Sequence, residues 1–176
     1  MKNCINSIFI LLAFAGIFSS CNTATPEKYF DVAVLNSNLF VGFADDGFFR
    51  QLQSPSVKMT ANGGTASMKR AEVVAAMIDN AEEGLKKVKG LSATESTKEM
   101  LQASQAMYEY ILPILKNEYT QLAGLYDNGA ANDKIEAQSK AIYDKYNKGF
   151  NDLYNKLIGM GKAYAAKNNI PVNWGA

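Results

Sequence analysis

Few side chains in this 176-residue sequence could take part in covalent chemistry. The chain has two cysteines, Cys4 and Cys21, and no histidine. Without histidine it cannot form a Ser-His-Asp or Cys-His nucleophile, a His-ligated haem or a zinc site of the Cys/His type. The thiols are therefore the first candidates for a chemical role. Cys21 is the more informative of the two because of the residues that precede it.

Residues 1–20 have the pattern of a secretory signal peptide. Lys2 supplies a positive charge, an apolar run covers 8–18, and Ser19 and Ser20 place small side chains before Cys21. The apolar run is shorter than the roughly 20 residues that a helix needs to cross a bilayer. The sequence therefore predicts a cleaved signal peptide rather than a membrane-spanning anchor.

The residues Phe18-Ser19-Ser20-Cys21 resemble the lipobox of bacterial lipoproteins. This resemblance implies that the signal is cut just before Cys21 and that lipid such as palmitate is attached to its thiol. It also implies a cell-envelope location, on the periplasmic face of a membrane or at the cell surface. The commonest lipobox has Leu in place of Phe18 and Gly or Ala in place of Ser20. An ordinary cleaved signal with a coincidental cysteine is the alternative.

The charge and cysteine content of the chain that remains after cleavage argue against nucleic-acid binding and against disulfide bonds. Removal of Lys2 with the signal leaves 18 − 1 = 17 basic residues against 17 acidic ones, so the mature chain is neutral. A neutral domain offers no electrostatic basis for binding nucleic acid. Cys4 leaves with the signal and Cys21 is consumed by the lipid, so no disulfide is expected. We expect no metal and no cofactor.

Apolar periodicity predicts an all-α domain over 26–176, which residues 21–25 join to the lipid as a short spacer. Four amphipathic helices are predicted, over 26–53, 67–89, Ser92 or Thr94 to 127, and 132–168. The short connections at 90–93 and 128–131 favour antiparallel neighbours. The predicted fold is therefore an antiparallel four-helix bundle with up-down-up-down topology. With the lipobox, this layout resembles small helical surface lipoproteins of unknown function.

Three places in this fold prediction leave alternatives open. The β-branched and aromatic residues of 32–43 would also suit a strand, and Gly42 and Gly47 would allow the first helix to kink or break. Pro113 should kink the third helix, with a complete break as the alternative. Residues 54–66 have turn-forming residues throughout, so we expect a loop there, and this loop is the predicted contact region for a partner.

Aromatic residues are the most unusual feature of the mature sequence. Tyr108 and Tyr146 lie on the last two predicted helices, and Phe40 lies on the first. Aromatic side chains with polar tips could line a ligand pocket between helices. The alternative is that these rings pack the core, because aromatic stripes at helical spacing usually do so.

Pairs of acidic residues could also do acid–base chemistry or hold a metal ion. Glu95 and Glu99 are four residues apart, as are Asp79 and Glu83, and each pair should share a helix face. With no third ligand in the pattern, a solvated helix face is the favoured interpretation.

The sequence therefore predicts a lipid-anchored envelope protein that is not an enzyme. Its expected role is binding or structural interaction, with the membrane and an envelope protein as partners. The alternative role is a carrier or sensor that holds a small apolar ligand between its helices, in the pocket of Tyr108, Tyr146 and Phe40.

Overall fold

The structure is a computed structural model that describes residues 24–54 and 56–174. The predicted signal peptide and Cys21 lie outside the described residues. The described chain is mostly helical, in agreement with the predicted all-α class. Its elements in order are α1 (Pro26–Ala33), a 3-10 helix (Leu35–Phe40), α2 (Asp46–Gln53), β1 (Val57–Met59), β2 (Thr65–Ser67), α3 (Arg70–Lys89), α4 (Lys98–Ile114), a π-helical segment (Leu115–Tyr119), α5 (Thr120–Asp127) and α6 (Asn132–Lys167).

None of the helices in the described ranges is both long enough and apolar enough to cross a bilayer.

The prediction of one helix over 26–53 is wrong, because the N-terminal segment folds as three short helices. The chain turns at Gly42, with φ +77°, and at Ala44, with φ +56°. Asp45 then begins α2 by accepting a hydrogen bond at Oδ1 from the backbone N–H of Asp46, at 2.7 Å. The physical reason for the breaks is aromatic burial, since a single straight helix would present its rings on several faces. The breaks allow rings from all three pieces to enter the core: Tyr29, Phe30, Phe40, Phe43, Phe48 and Phe49.

Residues 54–66, predicted as a loop, contribute to a short antiparallel hairpin. Its register pairs Val57 with Ser67 and Met59 with Thr65. The turn between the strands is closed by the N–H of Gly63, which donates to the carbonyl of Thr60 at 3.0 Å. Gly63 has φ +79°, a left-handed conformation that glycine adopts without steric cost. The second strand occupies Ser67, so α3 begins at Arg70 and not at the predicted Ser67.

The start of α3 is held by the end of α5. The Asp127 carboxylate accepts the backbone N–H groups of Arg70 and Ala71, at 2.7 and 3.0 Å. These are two of the four N–H groups that a helix start leaves without an internal partner, and a negative charge is favourable there. A residue more than 50 positions away therefore fixes where α3 begins.

The third predicted helix begins later than expected and stays helical beyond Pro113. The N–H of Thr94 donates to Thr97 Oγ1 at 2.9 Å, forming a turn, so α4 starts at Lys98 and not at the predicted Ser92 or Thr94. Pro113 cannot donate a hydrogen bond within the helix. The π-helical segment follows directly after it, and α5 continues to Asp127. The complete break does not occur.

Hydrogen bonds and ion pairs between helices give their relative directions. Glu82 of α3 pairs with Lys116, and Lys89 near the end of α3 pairs with Glu109. Residue numbers thus rise along α3 as they fall along its partner, so α3 runs antiparallel to the α4–α5 unit. The same argument holds for α6 and the N-terminal segment, whose contacts are Asn147 with the Ala44 carbonyl and Tyr154 with Asn38.

One end of the bundle carries the start of the described chain. The hydroxyl of Tyr29 in α1 donates to the carbonyl of Ser92 at 2.5 Å, which places the 90–97 connection beside the start of α1. Ala24 packs partly buried against the core at this end. Because α6 runs antiparallel to α1, its last turns lie at this end too. We call it the tether end, and the opposite end, where α5 meets α6, the distal end.

Candidate functional site

The predicted pocket residues Phe40 and Tyr108 are brought together in the core. Their rings meet edge to face with centroids 5.8 Å apart, and each side chain is 1% exposed. The Tyr108 ring also lies against Gly84 of α3, where an added Cβ would be 2.6 Å from three of its atoms. The two rings are therefore enclosed by helices on both sides.

Tyr146, the third predicted pocket residue, contacts neither of these rings in the aromatic pairs of the described chain. Its ring lies edge to face with Tyr110 at 6.4 Å, and its hydroxyl donates to Glu118 Oε1 at 2.9 Å. With Pro113 and neighbouring residues it lines a shallow groove of about 270 Å³ on the α4–α6 side. The structure therefore brings Phe40 and Tyr108 together and places Tyr146 at a separate surface.

The buried hydroxyl of Tyr108 is a polar group in an apolar setting. Among the described residues it has no hydrogen-bond partner, and the same is true of Ser104 Oγ one helical turn earlier. Burial raises the pKa of Tyr108 to about 12, because the phenolate would be desolvated. A buried donor without a partner costs free energy, so this position stands out from ordinary core packing.

Tyr119 is a second buried tyrosine, and its hydroxyl has a partner. It accepts the backbone N–H of Ala44 at 3.0 Å, the residue whose φ is positive. Its ring packs against Phe43, Phe48 and Phe49. Burial raises the pKa of Tyr119, while the bond from Ala44 acts in the opposite direction. No pattern in the sequence indicates that Tyr119 holds the turn before α2.

These two tyrosines make a matched pair for mutation. We expect Tyr119→Phe to lower the free energy of unfolding by about 1–3 kcal/mol, because the Ala44 N–H is then left buried without an acceptor. Tyr108→Phe should be neutral or stabilising, since it removes a hydroxyl that has no partner among the described residues. Urea unfolding followed by circular dichroism measures both. Equal losses in the two variants would contradict this assignment.

A groove lies at the distal end, between α2 and the first half of α6. It has a volume of about 460 Å³ and is open to solvent. We call it the distal groove. Its walls are formed by Asp45, Asp46, Phe49, Gln53, Ile135, Glu136, Ser139, Lys140 and Tyr143.

The distal groove combines aromatic surface with negative charge. Tyr143 is 45% exposed, which is high for a large aromatic side chain. Asp46 and Glu136 are exposed carboxylates, and the groove's lysine, Lys140, is held by Asp144 at 2.7 Å. The charge of Lys140 is therefore neutralised by Asp144, which is not part of the groove, and the groove lining has a net negative charge. Such a surface favours a partner with basic and apolar groups.

Ser139 adds a buried hydroxyl to the same wall. Its Oγ atom is buried and has no hydrogen-bond partner among the described residues. Nothing in the sequence indicated the groove. The groove lies between α6 and α2, and α2 is a separate short helix because the chain breaks near Gly42 and Gly47, where the sequence allowed a break.

The acidic pairs singled out in the sequence are not brought together as sites. Glu95 lies in the turn before α4, so it does not share a helix face with Glu99. Glu83 forms an ion pair with Lys87 at 2.6 Å, and this hydrogen bond lowers the pKa of the carboxyl. Within the described ranges, no group of three acidic side chains is placed to hold a metal ion.

The hairpin exposes apolar side chains at the predicted contact region. Val57 and Met59 lie on one face of β1 and are 63% and 79% exposed. Lys58, on the opposite face, pairs with Glu72 of α3 and ties the hairpin to the bundle. The hairpin is thus a second exposed surface to compare with the distal groove.

Comparison of the chain with protein-family models, with curated proteins and with solved structures gave no match. The function must therefore be argued from the residues and their geometry.

Proposed function

We propose that this chain is a bacterial lipoprotein of the cell envelope with a non-catalytic binding role, anchored by lipid on Cys21 after removal of residues 1–20. The partner binds in the distal groove. The observation that carries this proposal is the placement of the groove, because the described chain starts, at Ala24, at the other end of the bundle. Tyr143 and Tyr164 of α6 are separated by about 32 Å of helix, so a domain held at its tether end presents the groove away from the bilayer.

The proposed bundle is an up-down-up-down four-helix arrangement in which the N-terminal segment takes the place of the first helix. The antiparallel contacts of α3 with α4–α5, and of α6 with the N-terminal segment, support this topology. The three long units, α3, α4–α5 and α6, then form a frame against which the short α2 packs. This arrangement leaves the space between α2 and α6 open as the groove.

The partner class follows from the lining of the groove. Asp46 and Glu136 supply negative charge, and Tyr143 supplies exposed aromatic surface. Aromatic side chains anchor protein interfaces, while surrounding charges set specificity and association rate. We propose an envelope protein segment that presents basic and apolar side chains.

Site-specific photo-crosslinking in membranes of the native host tests this proposal. With benzoylphenylalanine at Tyr143 we expect a discrete adduct that disappears when Glu136→Lys reverses a groove charge. Glu95→Lys, the same change at the tether end, should leave the adduct intact. Benzoylphenylalanine at Met59 compares the hairpin with the groove. An adduct at Tyr143 that is insensitive to Glu136→Lys, or an identical adduct from both positions, would rule out the groove as the site.

A carrier of a small apolar ligand is the second candidate function. One observation favours it: the Tyr108 hydroxyl lies buried beside Phe40 without a partner among the described residues. A ligand with a hydrogen-bonding group could satisfy it after a local opening of the core. Native mass spectrometry of the protein purified from its host would show a co-purifying mass that is lost in Tyr108→Phe. The unliganded mass alone would remove this candidate.

A further inference from the structure

The single tryptophan of the chain lies near the tether end and is partly exposed. Trp174 meets Phe30 of α1 edge to face at 5.7 Å, and Lys162 Nζ lies 5.5 Å from its ring centroid. These contacts hold one side of the indole against the bundle. The side chain still exposes 38% of its surface. A tryptophan in this position can contact a second surface without leaving the first.

The covalent distance from the lipid site to the bundle is short. Ala24 packs against the core, and Cys21 precedes it by three residues, which span at most about 11 Å. Phe30, the partner of Trp174, lies only about 6 Å along α1 from Pro26, the first residue of that helix. Lipid on Cys21 therefore holds Trp174 within reach of the headgroup layer. Residues of the distal groove lie several turns of helix further away.

The tether end carries exposed lysines that can contact a lipid surface, beside the exposed carboxylates Glu27, Glu95 and Glu99. The last turn of α3 contains Lys86, Lys87 and Lys89, and the last turn of α6 contains Lys167. Lys86 and Lys167 are exposed and take part in no ion pair within the described residues. Lysines near a bilayer interact favourably with anionic headgroups. Tryptophan itself is enriched at membrane–water interfaces, because its ring is apolar and its N–H is polar.

We propose that the indole of Trp174 inserts into the headgroup layer of the bilayer that holds the lipid, as a second membrane contact. This inference rests on the lipid anchor proposed above and adds an orientation to it. Lipid at Cys21 alone would let the domain rotate about its spacer. Two contacts on one end fix the bundle with its distal groove facing away from the membrane.

The single tryptophan allows a direct test with the lipidated mature protein purified from a bacterial host. The protein is reconstituted into vesicles of phosphatidylcholine and phosphatidylglycerol with brominated acyl chains, which quench nearby indoles. We expect Trp174 to lose about half of its emission relative to unbrominated vesicles, as an indole in the interface should. The control is Trp174→Phe combined with Tyr143→Trp, which moves the indole to the distal groove and should leave the emission unquenched.

The experiment distinguishes failure of the Trp174 membrane contact from failure of the lipid anchor on which it depends. Mass spectrometry of the intact protein from the same preparation shows whether the lipid is attached. If the lipid is present and Trp174 is quenched no more than the tryptophan at position 143, the membrane contact is wrong and the anchor stands. If the mass shows no lipid and the protein does not remain with vesicles, both the anchor and the membrane contact are overturned. Strong quenching at Trp174 alone supports both.

Discussion

Cys21→Ala is expected to abolish metabolic labelling with palmitate and to release the protein from the membrane fraction. In the proposed anchor the Cys21 thiol carries the lipid, and within the described residues no helix is long and apolar enough to cross a bilayer. A single acyl chain binds membranes only marginally, so the full set of chains on Cys21 should account for nearly all of the membrane affinity. Trp174 adds a contact that orients the domain but is too small to hold it alone. Fractionation and labelling of cells expressing each variant measure the effect.

Cys4→Ala is the matched control for this change. Cys4 lies inside the predicted signal and should be removed with it, so its variant should label and fractionate like the wild type. If Cys21→Ala keeps the label and the membrane association, the lipoprotein assignment is wrong. If Cys4→Ala loses the label while Cys21→Ala keeps it, the lipid is on the other thiol.

Gly84→Ala is expected to lower the free energy of unfolding by about 1–3 kcal/mol, the usual cost of overpacking a core. A Cβ at this position would meet Cε1, Cζ and the hydroxyl oxygen of Tyr108 at 2.6 Å. The ring is 1% exposed and cannot swing into solvent to make room. The clash therefore has to be absorbed by separation of α3 from α4. Urea unfolding followed by circular dichroism gives the difference.

Gly159→Ala provides the control, since Gly159 is also inside a long helix but has nothing within 4 Å of an added Cβ. There the change should stabilise by about 0.5–1 kcal/mol, from helix propensity alone. Gly84→Ala together with Tyr108→Leu should cost less than the sum of the two single changes, because the ring that clashes is gone. Similar shifts for Gly84→Ala and Gly159→Ala would contradict the packing at this contact.

The long helices could be predicted from the sequence because their apolar periodicity is regular. The fourth predicted helix, 132–168, corresponds closely to α6, Asn132–Lys167. Two glycines of this helix face a close neighbour, with Gly149 against Tyr110 and Gly161 against Val34. The apolar periodicity of a helix depends only on its own sequence, so it can be recognised without knowing what the helix packs against.

The N-terminal segment could not be predicted in this way, because its aromatic residues do not lie on one helical face. The sequence identified Gly42 and Gly47 as a place to break but not the earlier break at Val34. There α1 gives way to the 3-10 helix, and the N–H of Val34 donates to Phe30 at 2.8 Å. The hairpin was missed for a related reason. Each strand has three residues, too few for an alternating pattern.

In the candidate site, too, contacts that follow from helical periodicity could be predicted, and contacts that depend on how separate elements pack could not. Phe40 and Tyr108 were predicted either to line a pocket or to pack the core, and their rings pack against each other in the core. Tyr146 was predicted to join them, but its position on α6 turns it toward Tyr110 and Glu118. The distal groove depends on where the short α2 settles against α6. That position is decided by the packing of Tyr119 under the turn at Ala44 and not by any pattern along the chain.

Mass spectrometry of the N-terminal peptide tests the central claim most directly. The protein is extracted with detergent from membranes of the native host, and its N-terminal peptide is sequenced and weighed. The predicted result is a peptide that begins at Cys21 and carries the mass of attached acyl chains. A peptide that begins at Met1, or one in which Cys21 is internal or unmodified, would contradict the lipid anchor and the orientation of the groove that depends on it.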